Sequence, residues 1–323
     1  MTATVRATAR PEHERRLDLF GTKVRLLVGP PAAPGTPSAK VGALAVECMM
    51  RTHHRRLTRF DPDSELSRLN RDPRESVPVS SVLACAVRAA LQGAELTAGL
   101  VDPTLERDIV RAGYAESLVG ARRASLHAAL RAAPARRPAR ARPDAAWRAA
   151  AVTATEVRRP PRAGFDLGGS AKGHAADLAA RLLAGSATFA VDVGGDIVLG
   201  GRTEMPRGVE VEHPLDRGCV LRFAVAAGAV ATSGIANRVW RSTTGFAHHL
   251  LDPSTGEPAW TGVIQATALA DSGVEAEALA KAALLAGPEG GRRILERRGG
   301  ALVLDDGTVQ AVALPLEAQR CAA

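Results

Sequence analysis

The chain has 323 residues, 46% hydrophobic and 24% charged, a balance that excludes global disorder. No run approaches the ~18 consecutive apolar residues of a membrane-spanning helix, so no membrane span is expected. The net charge of +8 comes from 38 Arg against 4 Lys in a chain with 63 Ala, which reflects a GC-rich coding bias as much as a binding surface. With three Trp, one Tyr and six Phe, platforms for stacked bases are scarce and no nucleic-acid partner is expected.

Residues 1–18 are polar and read as a frayed N-terminal tail. The opening MTATVRATARPEHERR has no apolar h-region, cleavage-like site or lipobox Cys, so a cytoplasmic location is expected. Residues 20–29 alternate as a strand, and PPAAPGTPSAK is a turn by its Pro and Gly. The spacing of Ala43, Leu44, Val46, Met50 and His54 predicts a helix over 41–57. Asp63 or Ser64 caps a short helix carrying Leu66 and Leu69. A further helix over 79–97 opens at Ser80 or Ser81. Residues 99–114 read as a loop-rich block, and 118–162, where eleven Arg fall, shows no clear period.

Residues 164–185 read as a strand end, a Gly-rich turn and an amphipathic helix. TFAVDVGGDIVLGG (188–201) is strand, Gly-Gly turn, strand. VEVEHP, CVLRFAVAA and GAVATSG are successive strands. HHLLDPSTGEPA is a strand entering a tight turn. Helices follow over 275–286 and 290–298, then a hairpin turning at Asp306-Gly307. Strand and helix never alternate at length, so a doubly wound parallel sheet is disfavoured. The predicted class is α+β, helices packed on mainly antiparallel sheets, with 19–320 as a single domain. Cys48, Cys85, Cys219 and Cys321 form no C-x-x-C pair. Reduced thiols are expected rather than a disulfide framework or a thiolate metal knot.

Four motifs carry possible chemistry. In Asp166-Leu167-Gly168-Gly169-Ser170-Ala171-Lys172-Gly173, glycines admit an anion to backbone N–H groups at a helix start, and Lys172 supplies charge. Asp192-Val193-Gly194-Gly195-Asp196 is a turn with an acid on each side, and Ala231-Thr232-Ser233-Gly234 a polar turn after a strand. His248-His249 followed by Leu250-Leu251-Asp252-Pro253 offers an oriented imidazole, suited to general base work near neutral pH. Each alone also fits an ordinary turn or a structural His.

In order, with Phe20-Gly21-Thr22, the run from Arg59 through Phe60 and Ser64 to Asn70, and Val101-Asp102-Pro103-Thr104 added, these pieces resemble the ApbE family, the FAD:protein FMN transferases. The resemblance covers about four-fifths of the chain. It implies a T-fold-related domain that splits FAD at its pyrophosphate. FMN is joined through a phosphoester to a threonine of a partner flavoprotein, and AMP is released. Magnesium assists by neutralising phosphate oxygens. Position by position, Phe20 and Phe60 would flank FAD, and Leu100, Val101 and Asp102 would line its adenosine side. Asp166 and Lys172 would contact the dinucleotide. Thr232, Ser233 and Leu250 would complete the FAD-binding set, and His249 would activate the threonine.

The last family signature supplies the metal with an Asp and a Thr four residues on, one helix face, beside a carbonyl near Gly169. Here those positions are Glu277 and Lys281. Three readings stand: metal held by Glu277 and water; Lys281 replacing the metal electrostatically; or impaired chemistry. The last leaves an FAD-binding carrier or sensor as an alternative function, and FAD pyrophosphatase activity is another.

Overall fold

The computed structural model describes residues 3–6, 11–117, 124–243, 245–314 and the backbone of 319–320. An eight-stranded sheet organises them. Its strands are β1 (His13–Leu19), β2 (Thr22–Val28), β3 (Phe189–Val193), β4 (Asp196–Gly200), β5 (Gly228–Gly234), β6 (Val263–Ala270), β7 (Gly300–Leu304) and β8 (Val309–Val312). They lie side by side in chain order, each antiparallel to the next. The class is therefore α+β, with the complexity placed in the connections.

The β2–β3 connection carries α1 (Ala39–Leu57), α2 (Glu65–Arg71), α3 (Ser81–Leu96), α4 (Glu106–Arg111), α5 (Leu126–Ala132) and α6 (Ala171–Leu182). Ser38, Ser64 and Ser80 cap the first three, each hydroxyl accepting from a backbone N–H three residues on, which satisfies a donor the helix leaves open. The β4–β5 connection forms a smaller sheet from Arg207–Glu212 and Cys219–Val225, flanked by Ala3–Val5 and Gln319–Arg320. Between β6 and β7 come α7 (Gly273–Leu285) and α8 (Gly287–Leu295).

Alanine sets how closely the helices approach the sheet. Ala175, Ala176 and Ala179 of α6 and Ala276, Ala280 and Ala283 of α7 share one core with Ile197, Val230 and Ala266. A second core joins Leu66, Leu69, Leu83, Val87, Phe165 and Leu167. The helices α6 and α7 also meet at their starts. A Cβ on Gly173 would sit 2.3 Å from the Gly273 carbonyl oxygen, so only glycine permits this crossing. Asp177 seals it by accepting from Gly273 N (2.6 Å) and Val274 N (3.0 Å).

Sequence and structure differ at several points. His13–Leu19 falls in the segment expected to be a frayed tail, yet it is an edge strand that buries Leu17 and Leu19. Its outward Glu14, Arg16 and Asp18 hide the alternation, and charge on an edge strand discourages pairing with other chains. The eight-residue β6 went unpredicted, and α4 interrupts the block expected as loop. Residues 164–167 form no strand. Cys48 and Cys85 are free thiols, but Cys219 is disulfide-bonded, against the expectation of reduced thiols throughout. Among the described residues, no helix is long and apolar enough to cross a membrane.

Candidate active site

One end of the large sheet gathers the polar turns. Phe20 and Gly21 make the two-residue β1–β2 turn with φ of +54° and +68°, and Gly194 and Gly195 make the β3–β4 turn with φ of +67° and +97°. Such left-handed pairs match the twist of a hairpin. A Cβ on Gly194 would meet Thr22 Oγ1 at 2.2 Å, so the two turns abut. Thr232 and Ser233 continue β5 past Asp196 at this end. Thr232 N donates to the Gly195 carbonyl at 3.2 Å, and the Thr232 and Thr267 hydroxyls are 2.9 Å apart.

Against this end sits a buried cluster of four charges. Lys172, in the first turn of α6, pairs with Asp196 of β4 and stands 3.6 Å from Glu277 Oε1. Lys281, one turn along α7, donates to that same oxygen at 2.8 Å. Glu277 Oε2 accepts from Gly173 N at 2.8 Å. Glu277 is fully buried and Lys281 nearly so, at 0% and 7% exposure. Burial alone would raise the Glu277 carboxyl, but Lys281 and Lys172 hold it below its ordinary value. Burial raises Asp196 despite the opposing pull of Lys172. Burial likewise lifts neighbouring Asp192 to about 6, although Gly195 N donates to it. Asp196 Oδ1 is buried with no hydrogen-bond partner.

The Gly-rich loop is pinned from two sides. Asn70 of α2 exchanges two 2.8 Å hydrogen bonds with the backbone of Phe165, and Asp166 N donates to the Pro103 carbonyl at 2.8 Å. Arg59 Nε reaches Asp166 Oδ2 at 3.1 Å, and Gly168 N donates to Asp166 Oδ1 at 2.7 Å. Asp166 is thus committed to the loop and to Arg59. Val101 lies 3.9 Å from where a Gly169 Cβ would be, and Lys281 Cε 3.8 Å from it. The loop holding Leu100, Val101 and Asp102 therefore borders the lysine cluster. Asp102 Oδ1 accepts from the Thr104 backbone and hydroxyl, leaving Oδ2 buried and unpartnered.

Phe60 belongs to an aromatic shelf. Its ring lies 5.4 Å from that of Tyr114, which lies 5.5 Å from Trp240. The Arg59 guanidinium covers Phe60 and Tyr114 at 4.3 and 4.7 Å. A cleft of about 630 Å³ opens here, lined by Arg59, Phe60, Ser67, Asn70 and Glu106 among others. Sequence reasoning gave no role to Arg59, Tyr114 or Trp240. The available signal was scarcity, the lone Tyr and one of three Trp. The Phe20 ring lies edge-on to His54 at 5.4 Å.

The two histidines face differently because side chains alternate along a strand. His248 is fully buried and packs edge-on against Trp260 at 4.7 Å. Leu250 is buried in the main core, and its N–H donates to His248 Nδ1 at 3.3 Å. His249 is half-buried, with Nδ1 unpartnered. Burial first, then the cationic side chains of Arg238, Lys281 and Lys172, push it well below the ordinary histidine value, so it is neutral near pH 7.

Burial holds His248 down to about 3, which gives a pH dependence. Below about 6.5 the unfolded chain takes a proton that the folded one refuses. The stabilisation from His248 is therefore present above that pH and lost as pH falls toward 3. At pH 4.5 the loss is about 2–3 kcal/mol. Urea unfolding at pH 7 and pH 4.5 should show that much less acid sensitivity in His248→Phe than in the native protein. Equal sensitivity would refute this.

The expected metal site does not fit a divalent ion. Both Glu277 oxygens already accept from N–H donors, and an ammonium stands where the second side-chain ligand was expected. Asp196, the nearest other carboxylate in the cluster, is paired with Lys172. Among the described residues, no group of three His, Cys, Asp or Glu side chains could hold a metal.

A sequence profile of the ApbE family matches residues 20–304. The FAD:protein FMN transferase of Escherichia coli (strain K12) is 28% identical over 145 residues, 43% of this chain and 41% of that protein, so this chain aligns with less than half of that relative. The FAD:protein FMN transferase of Vibrio cholerae serotype O1 is 26% identical over 280 residues, 81% of this chain and 78% of that one. The crystal structure of the ApbE protein from Thermotoga maritima superposes with a TM-score of 0.76 at 26% identity, covering 94% of this chain and 97% of that one. The profile match runs from the β1–β2 turn to the end of β7, across every motif gathered at the site, and this chain belongs to the ApbE family.

Proposed function

We propose that the protein is an FAD:protein FMN transferase that joins FMN to a threonine of an acceptor flavoprotein. The observation that carries this reading is a half-buried, neutral His249 within the electrostatic reach of Lys172, at the start of α6, and Lys281 of α7, which share Glu277 Oε1. The lysines and the backbone N–H groups there suit a diphosphate. The shelf of Phe60 and Tyr114, under Arg59, suits a flat ring system.

In the reaction, the threonine oxygen attacks the phosphorus on the FMN side of FAD. A new P–O bond forms to threonine, and the bond from that phosphorus to the bridging oxygen breaks. AMP leaves with the bridging oxygen. His249 takes the hydroxyl proton, and an anionic diphosphate beside it would raise its basicity from the depressed resting state. Lys172 and Lys281 stabilise charge on the phosphate oxygens as the leaving group departs. No step here is routed through a metal, because the donor set does not fit one.

Incubation with FAD and an acceptor bearing an FMN-attachment threonine, read by intact mass, tests the reading. The acceptor should gain one FMN less one water, with one AMP released per acceptor. AMP and free FMN without acceptor modification would instead mark a pyrophosphatase. Bound but uncleaved FAD would mark a carrier or sensor.

A further inference from the structure

We propose that Lys281 is a built-in substitute for a divalent cation, so that this chain binds a diphosphate group without magnesium. The inference rests on the flavin-transferase reading only for the identity of the natural ligand. It stands on how lysine is used. The chain has 38 Arg and 4 Lys. Lys23 and Lys40 are exposed. The other two, Lys281 buried and Lys172 half-buried, converge on one carboxylate oxygen, Glu277 Oε1, at 2.8 and 3.6 Å.

An ammonium is a compact point charge, closer to a metal ion than a planar guanidinium is. Glu277 fixes Lys281 with one oxygen and grips Gly173 N with the other, so the charge is held rather than mobile. It lies beside the Gly-rich loop, with Lys281 Cε 3.8 Å from a notional Gly169 Cβ. The cluster also contains an unmet polar group. His249 Nδ1 is buried without a partner, as expected of a pocket completed by a polar ligand. Magnesium would need oxygen ligands at about 2.1 Å in near-octahedral array. Here it would meet two ammonium groups, Glu277 with both oxygens engaged and Asp196 paired with Lys172.

The probe is ADP, which carries a diphosphate and adenosine but no flavin. Titration calorimetry of the native protein with magnesium chloride alone should show no stoichiometric uptake. ADP affinity in EDTA should lie within about threefold of that in magnesium, and Lys281→Met should weaken it in EDTA by about tenfold or more. Lys281→Thr combined with Glu277→Asp should make ADP binding at least about tenfold stronger with magnesium than without. Tight magnesium uptake by the native protein, an ADP affinity that depends on magnesium, or no ADP binding in either condition would overturn the inference. If Lys281→Met fails to fold, the native comparison decides alone. Magnesium-independent ADP binding without flavin transfer would leave this inference standing and remove the proposed function.

Discussion

His249→Ala is expected to lower FMN transfer by about 10²–10⁴-fold, the usual contribution of a positioned general base, while FAD affinity stays within a few-fold. The imidazole is neutral because burial and three nearby cationic side chains depress it, so it can accept a proton at pH 7. His248→Ala should behave oppositely. It opens a cavity beside Trp260 and lowers stability, and any loss of transfer should track loss of folded protein. Single-turnover transfer, FAD titration and thermal melts on both variants separate the two roles. Full transfer by His249→Ala, or a selective loss of transfer by folded His248→Ala, would refute the assignment.

Much of this site was legible because its parts are local. The caps at Ser64 and Ser80, the Gly-Gly turn and the Asp306-Gly307 hairpin each depend on a few adjacent residues. What stayed hidden depends on distant pairings. Arg59 gains its place only when Asn70 pins Phe165 and brings Asp166 within 3.1 Å. Tyr114 and Trp240 lie 126 positions apart and meet only in the fold. The strand β6 is central and buried on both faces, so it lacks the polar alternation that reveals a half-exposed strand. Leu250 of the same motif packs in the core while His249 beside it is half-buried, because neighbours on an extended segment point opposite ways.

Lys172 poses the question of whether a half-buried lysine serves the fold or the ligand, and its substitution should have the largest effect on stability. Lys172→Met leaves Asp196, 1% exposed and already short of one partner, without its cation. Removing one member of a buried pair costs about 3–5 kcal/mol. The penalty arises from the ionised carboxylate, and burial already raises the Asp196 carboxyl. Loss of Lys172 raises it further, so the folded variant escapes part of the cost by taking up a proton as pH falls. Urea unfolding should therefore find the variant more destabilised at pH 8 than at pH 5. Adding Asp196→Asn removes the stranded charge and should recover most of the lost stability. It should not recover FAD affinity if Lys172 also meets the diphosphate, because the double variant still lacks that ammonium. Affinity lost in both variants, with stability returning only in the second, assigns Lys172 both roles. Affinity that returns together with stability would confine Lys172 to the fold and leave Lys281 as the cation that meets the ligand.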